Sequence, residues 1–107
     1  MASKANLVID QGTTYSVIIN LDDENGDPLN VGGYSSRAQM RKHYTSSNAV
    51  TFSTALANGE LTLSLTANQT SNIVSGRYVY DAELIDASGN VTRIVEGIIT
   101  VTPEVSR

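Results

Sequence analysis

A chain of 107 residues is long enough for one hydrophobic core and leaves no room for a second domain, so residues 1–107 read as a single domain. Its net charge is −4, and its few cations are scattered except for Arg37, Arg41 and Lys42, which is not the basic stripe that displaces counterions from nucleic acid. Cysteine is absent, so neither disulfides nor thiolate metal ligands can hold the fold, and the core must suffice.

Residues 1–10 hold a single Lys and no long apolar segment, so export by the general secretory route is not expected, and no apolar run approaches membrane-spanning length. Ala5 to Asp10 and Thr13 to Leu21, separated by Gln11-Gly12, alternate as half-buried strands do. In the second, Tyr15, Val17, Ile19 and Leu21 share one face and Ile18 is the outward exception.

The stretch LDDENGDPLN that follows, residues 21 to 30, invites comparison with a calcium loop. With Gly26 at the sixth position of an EF-hand, Asp23 and Asn25 fall on ligand positions, but Leu21 falls on the first and Gly32 on the twelfth. Two required ligands are missing. The stretch therefore reads as a turn in which Asn25-Gly26 supplies positive φ and Asp27-Pro28 leads the chain out extended.

Tyr34 to Tyr44 predicts a strand with Tyr34, Ser36, Ala38 and Met40 on one face and Arg37, Gln39, Arg41 and His43 on the other. Val50 to Thr54 predicts a short strand. After the turn Ala57-Asn58-Gly59, Glu60 to Thr66 predicts another, with Leu61, Leu63 and Leu65 aligned. Thr66-Ala67-Asn68-Gln69 matches a capping box, which places one short helix over 67–73, ending before Ser75-Gly76.

Gly76 to Ile85 and Asn90 to Thr102 flank Asp86-Ala87-Ser88-Gly89 and read as a hairpin. Tyr78, Tyr80, Ala82 and Leu84 should face inward beside Val95, Gly97, Ile99 and Val101. That pairing calls for a loop of two or four residues, because a one-residue slip turns one strand's faces over. About seven short strands with one helical turn before the penultimate strand predict an all-β fold, an immunoglobulin-like antiparallel β-sandwich without the Cys and Trp hallmarks of antibody domains.

The order of features resembles the β-sandwich virion proteins of tailed bacteriophages, notably the family of baseplate upper protein N-terminal domains and short virion proteins of cyanophage-type myoviruses. The resemblance is carried by Leu7 to Tyr15, Asp23 to Leu29, Gly33-Tyr34, Ser75 to Tyr78, Asp81 to Gly89 and Glu96 to Val105. It implies a structural role in a virion, at the baseplate, a tail-fibre attachment or the capsid surface, after synthesis in the host cytoplasm. The implied partners are other virion proteins or copies of the chain itself, with neither nucleic acid nor membrane.

Catalysis is not expected, and no cofactor is implied. His43 is the only histidine and sits on a polar strand face, and Gly32-Gly33 leads into a strand rather than a helix that could bind phosphate. Of the five tyrosines, Tyr15, Tyr34, Tyr78 and Tyr80 fall on core faces and Tyr44 closes a strand. A partner interface is expected where Arg37 and Arg41 meet Asp81, Glu83 and Glu96, because Val79, Ile85, Ile94 and Ile98 lie among those charges. Ile94 and Ile98 are expected on that outer face with the charges. The alternative reading is a carbohydrate- or surface-binding immunoglobulin-like module.

Overall fold

The computed structural model describes residues 3–22, 26, 29, 32–57 and 59–105. In chain order the elements are β1 (Ser3–Lys4), β2 (Leu7–Asp10), β3 (Tyr15–Asn20), β4 (Ser35–Arg41), β5 (Val50–Thr51), β6 (Ser53–Ala57), β7 (Glu60–Leu65), α1 (Ala67–Ser71), β8 (Gly76–Ile85) and β9 (Val91–Thr102). One sheet runs β1-β9-β8-β4-β5, with β2 also on β9; the other runs β3-β7-β6. Their inner faces bury Ile9, Ala38, Met40, Leu61, Leu63, Leu65, Tyr80, Ala82, Ile99 and Val101 between them. This is an immunoglobulin-like sandwich, as the strand pattern predicts.

Two predicted strands are interrupted. The first, expected over Ala5 to Asp10, forms only over Leu7–Asp10 as β2; Ala5-Asn6 is a break, Ser3–Lys4 before it makes the separate β1, and both strands run parallel to β9 rather than antiparallel. The break is held by non-local bonds: the Tyr80 hydroxyl donates to the Ala5 carbonyl at 2.6 Å, and the Asn6 Oδ1 accepts the Ile98 N–H at 3.1 Å. Gly97 makes room for the crossing, because a Cβ there would lie 2.1 Å from the Ala5 carbonyl oxygen. The other split falls at Phe52, whose side chain is buried and whose N–H donates to Ala38 at 3.0 Å. Val50-Thr51 thus joins one sheet while Ser53–Ala57 crosses to the other.

The hairpin corrects the expectation of an even loop. Five residues, Asp86 to Asn90, separate β8 from β9, which would invert the faces of β9. A bulge restores them: Ala82 pairs with Val95 but Glu83 pairs with Arg93, leaving Ile94 as the extra residue. The odd loop is favoured by Asp86, whose Oδ1 accepts the N–H groups of Ser88 and Asn90 at 2.9 Å each. The bonds from Asn90, foremost, hold that carboxyl below the usual carboxylate range.

The capping box forms as predicted, with Thr66 Oγ1 accepting the Gln69 N–H at 3.1 Å and Gln69 Oε1 accepting the Thr66 N–H at 2.8 Å. The helix ends earlier than predicted, at Ser71 with Asn72 as its C-cap. Its buried Thr70 donates its hydroxyl to the Thr13 carbonyl at 2.7 Å, tying the helix to the start of β3.

β4 also stops early, at Arg41, because the Ser46 N–H closes a turn on His43 and the Arg41 guanidinium donates to the Ser46 carbonyl. His43 is therefore exposed in a turn, and Tyr44 stands 81% exposed there instead of closing a strand. In the acidic stretch, Gly26 has the expected positive φ of 82°. Asp23, Asn25, Asp27 and Pro28, on which the rest of the turn reading falls, lie outside the described residues, as does Asn58 of the other turn.

Candidate interaction face

The outer face of the larger sheet is organised in cross-strand rows set by register. Arg37 on β4 pairs with Glu83 on β8, which pairs with Arg93 on β9. The next row is Gln39, Asp81 and Glu96, with Lys4 beyond it on β1. The third is Arg41, Val79 and Ile98. The fourth sets Arg77, Thr100 and Val8 side by side.

The charges are paired within and between rows. Arg37 Nε lies 2.5 Å from Glu83 Oε1, and Arg93 reaches Asp81 at 3.4 Å and Glu96 at 3.3 Å. Partial burial, and then the neighbouring Glu83, push the Asp81 carboxyl up, while Arg93 acts against them. Three carboxylates are thus spanned by two guanidinium groups. Exposed pairs of this kind contribute little to stability, about 0.2–1 kcal/mol each, and more to the choice of partner.

Around the charges the surface is hollowed and mixes polar with apolar groups. Arg37, Arg41, Tyr44, Val79, Asp81 and Arg93 line a depression of about 460 Å³. Next to it, Val79 and Ile98 meet Lys42, His43, Arg77 and Tyr78 around a second hollow of about 320 Å³. Lys42 Nζ stands 5.1 Å from the centre of the Tyr78 ring. Ile98 is 41% exposed, and Val8 at the sheet edge is 59% exposed.

Of the residues expected at an interface, Arg37, Asp81, Glu83, Glu96 and Ile98 share this face. Arg41 stands at its margin, bonded to the Ser46 carbonyl and to Gln39 Oε1. Ile94 does not belong to it: it packs against the core, beside Leu21, Leu29, Tyr34 and Leu84. Arg93 was missed for the same reason. Counted by strict alternation from Val95, Ile94 points out and Arg93 points in, and the bulge reverses both.

No protein-family model matches the chain, and no curated protein matches it. Among solved structures the fold is similar to an internalin-like protein of Listeria monocytogenes, at 19% identity and a TM-score of 0.52, over 94% of this chain and 28% of that one. It is also similar to murine CRIg, at 13% identity and a TM-score of 0.47, over 94% of this chain and 92% of that one. The chain therefore spans 28% of the length of the internalin-like protein. At such identities the likeness concerns the fold alone.

Proposed function

We propose that this chain is a non-enzymatic protein-binding domain that works through the outer face of its larger sheet, as a structural piece of a tailed-phage particle. The observation that carries the binding role is the Arg37–Glu83–Arg93 row, set beside exposed Ile98 and Tyr44 and two adjoining hollows. Aromatic and aliphatic groups give such a face contact area, and the fixed charges give it register and partner choice. The virion placement, at a baseplate, tail-fibre attachment or capsid surface, rests on the resemblance of the turn and strand motifs. Other virion proteins are the partners this reading names.

Ile98→Lys tests it, since Ile98 points outward and the change leaves the core intact. The expected result is a folded domain that no longer co-purifies with particles at fixed stoichiometry. Unchanged incorporation would move the interface off this face. A carbohydrate-binding reading is favoured by Tyr44 alone, an exposed ring beside Arg41 and Asp81 that could stack on a sugar. Binding of the wild-type domain on a glycan array, lost in Tyr44→Ala, would establish that reading instead.

A further inference from the structure

The edges of the two sheets are finished differently. Free strand edges invite pairing with other chains, and proteins blunt them with charges, bulges, very short strands or covering segments. In the larger sheet one edge is β5, which is two residues long, and the other is the broken pair β1 and β2, which carries Lys4 and Asp10. In the smaller sheet, β6 is tied to the larger sheet by the hydrogen bond from Ser36 Oγ to Thr54 Oγ1 at 2.9 Å. β3 has none of these protections. It is six residues of YSVIIN, uncharged, without proline or bulge, and among the described residues it pairs only with β7.

The direction of its free groups follows from the ladder. Leu21 donates its N–H to the Gly59 carbonyl at 2.8 Å, in the same register that pairs Tyr15 with Leu65. Hydrogen-bonded pairs alternate in antiparallel strands. Tyr15, Val17 and Ile19 therefore bond to β7, while Ser16, Ile18 and Asn20 turn their N–H and C=O groups to the open edge. Their side chains are also exposed, Ile18 by 56%.

From this we infer that β3 is a self-association edge, whose occupant is β3 of a second copy running antiparallel across a two-fold axis at Ile18. In that register Ser16 faces Asn20, Val17 faces Ile19 and Ile18 faces its own copy. Every outward-directed backbone group of the strand is then used, and the three-stranded sheets join into one. The strand carries no charge, so self-pairing opposes no like charges, which would be destabilising. The exposed Ile18 is covered by its own symmetry mate, as a two-fold interface requires. This surface lies on the opposite sheet from the proposed protein-binding face and does not depend on that reading.

The cysteine-free sequence makes the register directly testable. Ile18→Cys introduces a single thiol. Facing residues of a hydrogen-bonded antiparallel pair have Cα atoms about 5.5 Å apart, within the span a disulfide bridges. On oxidation with diamide, Ile18→Cys is expected to convert to a covalent dimer while Val8→Cys, equally exposed on the other sheet, stays monomeric. Light scattering of the unmodified chain should give twice the 11.4 kDa chain mass as concentration rises, and Ile18→Lys should stay at the monomer mass with an unchanged circular dichroism spectrum. A wild-type chain that stays monomeric throughout overturns the inference. So does a dimer that survives Ile18→Lys, or equal cross-linking of the two cysteine variants.

Discussion

The two outer faces of the sandwich have opposite chemistry. On the larger sheet, Arg37, Glu83, Arg93, Asp81 and Glu96 interlock across three strands. On the smaller, Ser16, Ile18, Asn20, Ser53, Ala55, Ala57, Thr62 and Ser64 leave Glu60 as the only charge. Cross-strand charge pairs of this kind favour one strand register, and in the proposed role they would discriminate among partners by sign. The uncharged face carries small side chains and, at β3, outward-directed backbone groups, the features on which the inferred self-pairing rests.

The largest effect should come from mistaking inner for outer on the charged sheet. Ile94→Lys places a charge against the core and is expected to cost about 2–4 kcal/mol in urea unfolding, whereas Ile98→Lys should stay within about 0.5 kcal/mol of wild type. Equal small effects would mean that the bulge does not turn Ile94 inward.

The anchoring of β1 and β2 to the charged sheet comes next. Burial, and then Tyr15, push the Tyr80 phenol from 10.0 up to about 12. The folded chain then holds this proton more tightly than the unfolded one, so the contribution is complete below pH 10.0 and is lost as pH rises to about 12. Tyr80→Phe should flatten that alkaline slope and, at neutral pH, cost about 0.5–1.5 kcal/mol through the lost bond to Ala5.

The helix that carries the chain from one sheet to the other sharpens the comparison from a third side. Thr66→Ala should cost about 0.5–2 kcal/mol in thermal or urea unfolding, because the Gln69 N–H loses its Oγ1 acceptor while the reciprocal bond from the residue 66 N–H to Gln69 Oε1 is kept. The smallest effect belongs to the surface charges. Arg37→Ala should cost about 0.2–1 kcal/mol and less at high salt, since its side chain is 60% exposed. Substituting Glu60 on the other face should show no such salt dependence.

Strand periodicity and local turn chemistry made much of this legible from residues alone. The inward faces of β4, β7 and β8 follow from alternation, and the capping box at Thr66 from a four-residue motif, because in both cases the deciding interactions lie within a few positions of one another. The charged face was legible to the same extent, up to the point where alternation fails. Tertiary structure decided the rest. The extra residue at Ile94 depends on how the Asp86 carboxylate closes its loop and how β9 then meets β8, and it exchanges the sides taken by Arg93 and Ile94. The break at Ala5-Asn6 exists because Tyr80 and Gly97, more than 70 positions away, accept a kinked strand there. The crossing at Phe52 exists because a bond to Ala38 and burial of the ring outweigh continuing in one sheet. Each is settled by competition between a local ladder and a distant contact, and the distant partner has no marker in the sequence near the residue it displaces.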